Sequence, residues 1–236
     1  MIAEEIIERM KGLRDEKEAR HLARFFKTGK GEYGEGDMFL GIRVPVTRAL
    51  VKEYRKSGEI EDVRVLVENP FHEIRLAGFL LLIEIYKKAK NKREIIDLYL
   101  GMIPRSNNWD LVDVIAPKIL GDYLVDTPED RSILYWLAEP DKTLWHQRVA
   151  MISCWKLIQE GLYSDTLQLA EHFLTHHHDL MHKASGWMLR EVGKRGGLPQ
   201  LLAFLDLHAR SMPRTMLRYA IERLPEPQRL HYLHLQ

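Results

Sequence analysis

The clearest candidates for chemistry are an indole and a carboxylate, Trp109 and Asp113, which stand four residues apart. On a helix this spacing puts both side chains on one face. The indole can pack on a sugar or a cationic base, and the carboxylate can face a developing positive charge. Asp113 lies within an apolar run, where an unpaired carboxylate is costly to bury. It therefore either pairs with a cation such as Arg148 or serves chemistry, and the sequence leaves both open.

A second group of candidate side chains follows further along the chain. Trp187 and Arg190 are three residues apart on another predicted helix, and Lys183 lies one turn before Trp187. Arg148 lies on a helix between the two groups, and arginine suits phosphates because it can bind them through two hydrogen bonds. These six side chains could converge on one surface. A Trp at helical spacing is more often part of a core than of a site, so packing is the alternative.

One segment interrupts the helical pattern. Residues 28–37 contain four glycines, too many for a helix, and no Lys-Ser/Thr pair ends the segment as in a phosphate-binding P-loop. The composition predicts a surface loop or a short β-hairpin. Lys30 and Tyr33 could contact a ligand from such a segment, with a plain connector as the alternative.

Neither a metal site nor a disulfide is predicted. Cys154 is the only cysteine, so no internal disulfide can form and no cysteine pair can hold zinc. His176, His177 and His178 are consecutive in a polar connection, and consecutive histidines rarely converge on one ion. We expect neither a metal nor another cofactor.

The composition indicates a globular protein with an ample core. Of its 236 residues, 45% are hydrophobic and 29% are charged. No run approaches the roughly 18 to 20 apolar residues of a membrane span, and residues 1–14 lack the apolar centre of a signal peptide. We expect a cytoplasmic, monomeric protein. The net charge is +1 and the basic excess is confined to residues 142–236, which gives only weak support for a phosphate-facing surface.

Helices dominate the predicted structure. Apolar residues recur at spacings of three and four from residue 2 to residue 224, and strand-like alternation is nearly absent. Pro117 is expected to kink or divide the helix predicted over residues 108–125. Pro225 is expected to end the last helix. The sequence therefore predicts an all-α protein.

A repeat is visible among these helices. Polar residues at comparable points of four helices, Arg75, Asp113, Arg148 and Lys183, are separated by 38, 35 and 35 residues. Two helices per period of this length suit HEAT-like repeats. Such pairs stack into a solenoid with a long concave face because no pair can bury its apolar side alone. We predict one HEAT-like repeat domain over residues 1–236, with the Gly-rich segment as an insert.

Four segments carry a resemblance to a known family. Residues 106–113, followed by Leu120-Gly121-Asp122, resemble the Trp-Asp-x-Val-Asp…Leu-Gly-Asp stretch of the AlkD-like DNA alkylation repair family. Residues 145–150 are similar to its Trp-x-Gln-Arg-x-Ala helix, and residues 183–191 to its Lys-Ala-x-Gly-Trp-x-Leu-Arg-Glu helix. Residues 39–42, Phe-Leu-Gly-Ile, match its N-terminal segment. The segments occur in the family's order, and the combination is highly specific.

The resemblance implies a DNA repair glycosylase with a HEAT-like fold whose concave face holds duplex DNA. It would hydrolyse the N-glycosidic bond of cationic alkylated purines such as 3-methyladenine and 7-methylguanine, with oxocarbenium character at the sugar. By resemblance, Asp113 would stabilise that cation and position water. Trp109 and Trp187 would pack on the deoxyribose and backbone, and Arg148 and Arg190 would hold phosphates. The expected DNA contacts further include Lys183, Phe25, Lys30 and Tyr33.

The sequence departs from the family pattern at three places. Asn108 stands where the best-studied type has a second Trp, and Phe25 where it has a Tyr, which removes a hydroxyl contact to DNA. The insert at 28–37 is longer than the connector of that type, and relatives with a hairpin here resemble binders of branched DNA with little or no base excision. A non-catalytic binder of branched or damaged DNA is therefore the alternative function. A third possible function is a scaffold for protein–protein interactions.

Overall fold

A computed structural model describes residues 1–235 of the chain. Helices, with 3₁₀ turns included, make up 71% of the chain, and the described residues contain no β-strand. One isolated bridge joins Met38 to Phe71. The predicted all-α class is confirmed. No helix within residues 1–235 is long and apolar enough to cross a membrane.

The chain divides into two compact units, Met1–Leu111 and Val112–Gln236. The helices of the first unit, with a 3₁₀ turn at Ile103–Arg105, are α1 (Ile2–Gly12), α2 (Glu16–Phe25), α3 (Val44–Tyr54), α4 (Ile60–Val67), α5 (His72–Tyr86), α6 (Lys92–Met102) and the start of α7 (Trp109–Ile115). The second unit continues through α8 (Leu120–Asp126), α9 (Ser132–Leu137), α10 (Leu144–Gln159), α11 (Ser164–His172), α12 (Asp179–Lys194), α13 (Leu198–His208), α14 (Arg214–Ala220) and α15 (Glu226–His234). The single domain expected over residues 1–236 stays a prediction.

The first unit is built around α5, which is buried on nearly all sides and packs against α3 and α4. The buried carboxylate of Glu73 on α5 accepts hydrogen bonds of 2.8 to 3.1 Å from the backbone N–H groups of Leu40, Gly41 and Ile42. These bonds satisfy the carboxylate and hold the segment before α3 against the core. Gly41 has φ +88°, and a Cβ there would lie 2.1 Å from the carbonyl oxygen of Asp15. Only glycine fits where this segment crosses the start of α2.

The second unit is built around α10 and α12. Helix α10 packs against α8, α9, α11 and α12, and α12 packs in addition against α13 and α14. Gly186 permits the close approach of α12 to α14, because a Cβ there would lie 2.4 Å from the carbonyl oxygen of Met216. The packing at this crossing fixes the stretch of α12 that carries Trp187, the next residue.

Two of the predicted breaks between helices lie at prolines. As predicted, the helix over residues 108–125 is divided near Pro117: α7 ends at Ile115, a 3₁₀ turn spans Ala116–Lys118, and α8 begins at Leu120. The break predicted at Pro225 is also found, since α14 ends at Ala220 and no helix runs through the proline, but α15, which begins at Glu226, was not predicted. Proline lacks an N–H but its fixed φ suits the first turn of a helix, so prolines at this point start a helix as readily as they stop one.

The Gly-rich segment at residues 28–37 is a loop of consecutive turns. The hairpin alternative is wrong, because the segment forms no strand pair. Its own carboxylates cap the turns: Glu32 accepts a hydrogen bond from the N–H of Gly29 and Glu35 from that of Gly31, both at 2.8 Å. The N–H groups of these glycines bond to nearby side chains, whereas in a hairpin backbone groups would bond to the opposite strand.

Candidate functional site

Trp109 opens α7 and is half-buried in an aromatic group of the first unit. Its ring contacts those of Phe25 and Phe26, at centroid distances of 5.9 and 5.3 Å. Asn108 is buried beside it: its side-chain oxygen accepts a hydrogen bond from the Trp109 N–H, and its amide group donates to the Phe26 carbonyl. Asn108 therefore fixes the start of α7 against the turn that follows α2. Phe25 remains 55% exposed, so the group presents an aromatic surface to solvent.

Asp113 lies one turn further along α7 and forms a bidentate ion pair with Arg148 of α10. The Nε and one terminal nitrogen of Arg148 each donate to one oxygen of Asp113 at 2.9 Å. Arg148 is only 4% exposed, whereas the side chain of Asp113 is 16% exposed. A two-point contact of this kind fixes the orientation of a carboxylate as well as its position. Of the two roles left open by the sequence, pairing with Arg148 is observed, and the exposed part of the carboxylate can still meet a ligand.

The same guanidinium reaches a third helix. Its remaining terminal nitrogen donates to the carbonyl oxygen of Leu180, at the start of α12, at 2.6 Å. Arg148 thus joins α7, α10 and α12 within the second unit. Helix α12 then carries Lys183 and Trp187 on successive turns, and Arg190 close behind, with Trp187 half-buried.

Each of the cations expected at phosphates has an acidic partner. Lys183 Nζ lies 2.7 Å from a carboxylate oxygen of Asp179, and Arg190 is paired with Glu222. Arg148 differs from the other two because it is buried, and all its described contacts face inward. This geometry favours a role in positioning Asp113 over contact with a DNA backbone, and phosphate contact by Arg148 stays a prediction. Arg148 forms the more buried side of its ion pair with Asp113.

The first unit contains a buried ionic network that the sequence patterns did not predict. His72 on α5 bonds through Nδ1 to Asp37 at 2.8 Å and through Nε2 to Asp110 at 2.9 Å. Arg75 donates to the other oxygen of Asp37 at 2.6 Å and to Asn107 at 2.7 Å. Asp37 ends the Gly-rich segment and Asp110 is the second residue of α7, so the network anchors both to α5. His72 and Asp110 are 38 positions apart, so no local pattern in the sequence points to the network.

The network shifts the protonation of its members. Burial disfavours the charged ring of His72, but the carboxylates of Asp110 and Asp37 outweigh this effect and raise the pKa to about 9. Burial of Asp37 acts to raise its pKa, yet the hydrogen bond and charge of His72 and the charge of Arg75 lower it below the ordinary value. His72 is therefore an imidazolium at neutral pH, held between two carboxylates.

Two further predicted DNA contacts, Lys30 and Tyr33, lie in the Gly-rich loop. Lys30 is exposed and Tyr33 is half-buried. The repeat anchor Arg75 is buried in the network, so the four anchors do not form a row of exposed groups. His176 and His178 are engaged in their own connection and with Gln147. No group of three or more His, Cys, Asp or Glu residues in the described chain is arranged to hold a metal ion.

Comparison with known proteins assigns the family. A model of the DNA alkylation repair enzyme family matches residues 6–224. The solved structure of a protein described as a predicted DNA alkylation repair enzyme from Enterococcus faecalis is similar, with a TM-score of 0.73 and 16% identity over 90% of this chain and 97% of that one. At this identity the likeness is one of fold. No curated protein sequence matches significantly. Because the family model covers nearly the whole chain, this protein belongs to the DNA alkylation repair enzyme family.

Proposed function

We propose that this protein is a DNA glycosylase that hydrolyses the N-glycosidic bond of cationic alkylated purines, such as 3-methyladenine and 7-methylguanine, in duplex DNA without a cofactor. One observation carries the proposal. Asp113 is held through both oxygens by a buried guanidinium, while part of its side chain stays exposed. The family supplies the class of substrate. The geometry supports a role for a fixed negative charge beside that substrate.

The proposed reaction needs little help at the base. An alkylated purine carries a positive charge, so when its bond to C1′ breaks, the bonding electron pair neutralises the ring and the base leaves without protonation. The positive charge moves to the sugar as an oxocarbenium ion. A water oxygen then bonds to C1′ and loses a proton to solvent, which completes the hydrolysis. A carboxylate fixed in advance near C1′ lowers the energy of the sugar cation and orients the water.

Arg148 serves in this scheme as a positioning residue. Its guanidinium holds the Asp113 carboxylate in one orientation and is itself held by the Leu180 carbonyl. The carboxylate is therefore already oriented in the folded protein and need not be reoriented during the reaction, which is the basis of electrostatic preorganisation. Arg148 acts on the substrate only through Asp113.

Aromatic side chains would receive the sugar and backbone beside the lesion. Trp109 and Phe25 present ring surface at the start of α7, and Trp187 does so on α12. Ring faces pack well on the apolar side of a deoxyribose and attract cationic bases. The loss of a tyrosine hydroxyl at Phe25 leaves this packing intact.

Lys183 and Arg190 are the proposed phosphate contacts. Both belong to ion pairs with partly exposed carboxylates, Asp179 and Glu222. Exposed pairs of this kind contribute only about 0 to 1 kcal/mol. A DNA phosphate can therefore replace either carboxylate at little cost, and the proposed concave face would place both cations along a backbone.

The alternative is a non-catalytic binder of branched or damaged DNA, with the Gly-rich segment as the element that contacts it. Residues 28–37 form turns and no hairpin, so the resemblance to hairpin-bearing binders of branched DNA does not support it. The deciding experiment incubates the protein with methylated duplex DNA, in chelator, and identifies released bases by chromatography. We expect 3-methyladenine and 7-methylguanine from the methylated duplex and nothing from the unmethylated one. Binding of methylated DNA without release of any base would overturn the proposed activity in favour of the alternative.

A further inference from the structure

The three consecutive histidines before α12 take no part in the proposed reaction, yet two of them belong to a series of hydrogen bonds that ends at Asp113. His176 and His178 are half-buried, and His177 between them is exposed. All members of the series belong to the second unit.

The series begins at Gln147, the buried residue before Arg148. The amide group of Gln147 donates to the Glu139 carbonyl at 3.0 Å, so its side-chain oxygen accepts from Nε2 of His176 at 2.9 Å. Nε2 therefore carries the proton of this ring, and Nδ1 accepts the N–H of His178 at 3.0 Å. The side chain of Gln147 thus fixes the tautomer of His176.

His178 repeats this pattern as the N-cap residue of α12. Its Nδ1 accepts the N–H of Leu180 at 3.1 Å, so the proton of the neutral ring lies on Nε2. Such an acceptor satisfies one of the N–H groups that the first turn of a helix leaves without an intrahelical partner. The Leu180 carbonyl accepts from Arg148, which holds Asp113. Leu180 is therefore held at its N–H by His178 and at its carbonyl by Arg148.

Histidine differs from the usual N-cap residues because its acceptor titrates near neutral pH. Ser, Thr, Asp and Asn are preferred at this position. A proton on Nδ1 of His178 turns the acceptor into a donor that faces the N–H of Leu180, which breaks the bond. Burial is the largest effect on both rings and lowers the pKa of His176 and of His178. Both rings are therefore neutral, and both bonds are formed, at neutral pH.

The groups around the two rings are mostly basic. Asp179 raises the pKa of His178 and is the one carboxylate among them. Lys142 is itself paired with Glu139 and Asp141. The bases come from the connection before α10, from α10, α11 and α12 and from the histidine turn: Lys142, Arg148, His172, His177, His182 and Lys183. Protonated rings therefore meet repulsion from their surroundings, which adds to the loss of the cap in acid.

We infer that His178 is a positioning residue for the proposed excision, because its cap holds Leu180 and so keeps Arg148 and the Asp113 carboxylate in place. The reaction that it serves rests on the proposed function. His178 acts on the substrate only through Arg148 and Asp113. Acid that protonates the cap loosens the start of α12 and slows excision.

The first test compares two substitutions of His178. His178→Asn keeps a cap acceptor that does not titrate, whereas His178→Ala removes the acceptor. Single-turnover release of 7-methylguanine at neutral pH, corrected for spontaneous loss without protein, should be about fivefold slower for His178→Ala, the rate equivalent of one helix cap, and unchanged for His178→Asn. Between roughly pH 7.5 and pH 5, the wild type should slow about fivefold and His178→Asn less than about twofold. The matched control His231→Asn, which replaces an exposed histidine of α15, should behave as the wild type.

A double-mutant cycle in urea tests the link without the reaction. If His178 acts on Arg148 through Leu180, the losses of stability in His178→Ala and Arg148→Met should not add in the double variant, whereas those of His231→Asn and Arg148→Met should add. Additive losses for the first pair overturn the inference and leave the proposed function standing, as does a fall in rate at acid pH that is as large in His178→Asn as in the wild type. Non-additive losses in a protein that releases no base overturn the proposed function and leave the link from His178 to Arg148 standing.

Discussion

Replacement of Arg148 by Met separates a positioning role from a phosphate contact. This guanidinium donates three hydrogen bonds, two to Asp113 at 2.9 Å and one to the Leu180 carbonyl at 2.6 Å. Removal of one partner from a buried ion pair costs roughly 3 to 5 kcal/mol. Because 16% of the Asp113 side chain is exposed, water can recover part of this loss. We expect Arg148→Met to lower the free energy of unfolding by about 3 kcal/mol.

Urea denaturation measures this loss as a lower midpoint at an unchanged slope. The matched control is Arg210→Met, which removes an exposed arginine with no ion pair among residues 1–235. The control should change the free energy of unfolding by less than about 0.5 kcal/mol. In the folded Arg148→Met protein, the salt dependence of DNA binding should match the wild type, because a side chain that only positions Asp113 neutralises no phosphate. Base excision should fall, because Asp113 has lost its fixed orientation.

Two results would refute this reasoning. One is a free energy of unfolding within about 0.5 kcal/mol of the wild-type value, which would mean that the pair contributes nothing to the fold. The other is a slope of log affinity against log salt that falls by about 1, the signature of a lost phosphate contact.

Three further predictions concern other parts of the chain. The pKa of His72 is about 9 in the folded protein and 6.5 in the unfolded chain, so the stability that its protonation contributes, about 3 kcal/mol, is complete below pH 6.5 and is lost as the pH rises through 9. His72→Gln should flatten that part of the curve of unfolding free energy against pH, and an unchanged curve would contradict this prediction. Gly186→Ala should lower the free energy of unfolding by about 2 kcal/mol, because the added Cβ clashes with Met216. The control Gly101→Ala, where the added Cβ meets open space, should be neutral or stabilising, and equal effects of the two substitutions would exclude the close-packing explanation. Lys183→Ala and Arg190→Ala should each reduce the slope of log DNA affinity against log salt concentration by about 1. Lys156→Ala, which removes a lysine that also belongs to an ion pair, should leave that slope unchanged. Slopes equal to wild type for Lys183→Ala and Arg190→Ala would show that neither residue contacts DNA.

Local patterns were enough to predict most of the helices and their breaks. The three-and-four spacing of apolar residues identified α10 and α12, and the effect of Pro117 follows from its ring and missing N–H. At Pro225 the break was predicted but the helix after it, α15, was missed, because proline both ends helices and suits their first turn. Whether residues 28–37 would be a loop or a hairpin depended on partners outside the segment, so composition alone could not decide it.

The site was predictable only as a set of alternatives. For Asp113, the cost of burying a carboxylate required either a cation or a chemical role, and Arg148 was a named partner. That Arg148 is buried and also bonds to the Leu180 carbonyl depends on the packing of α7, α10 and α12 and has no signal in residue spacing. The network of His72 with Asp37 and Asp110 was missed for the same reason, since its members lie 35 and 38 residues apart.

The excision rate of Asp113→Asn tests the central claim most directly. The substitution keeps the shape of the side chain and removes its charge, so single-turnover release of 7-methylguanine from a methylated duplex should slow by on the order of 10²-fold. DNA affinity should stay the same or rise, because a negative charge near the phosphates has been removed. A denaturation curve in the assay buffer confirms that the variant, which leaves Arg148 without its ionic partner, is folded at the assay temperature. A folded Asp113→Asn protein that releases 7-methylguanine at the wild-type rate would contradict the account.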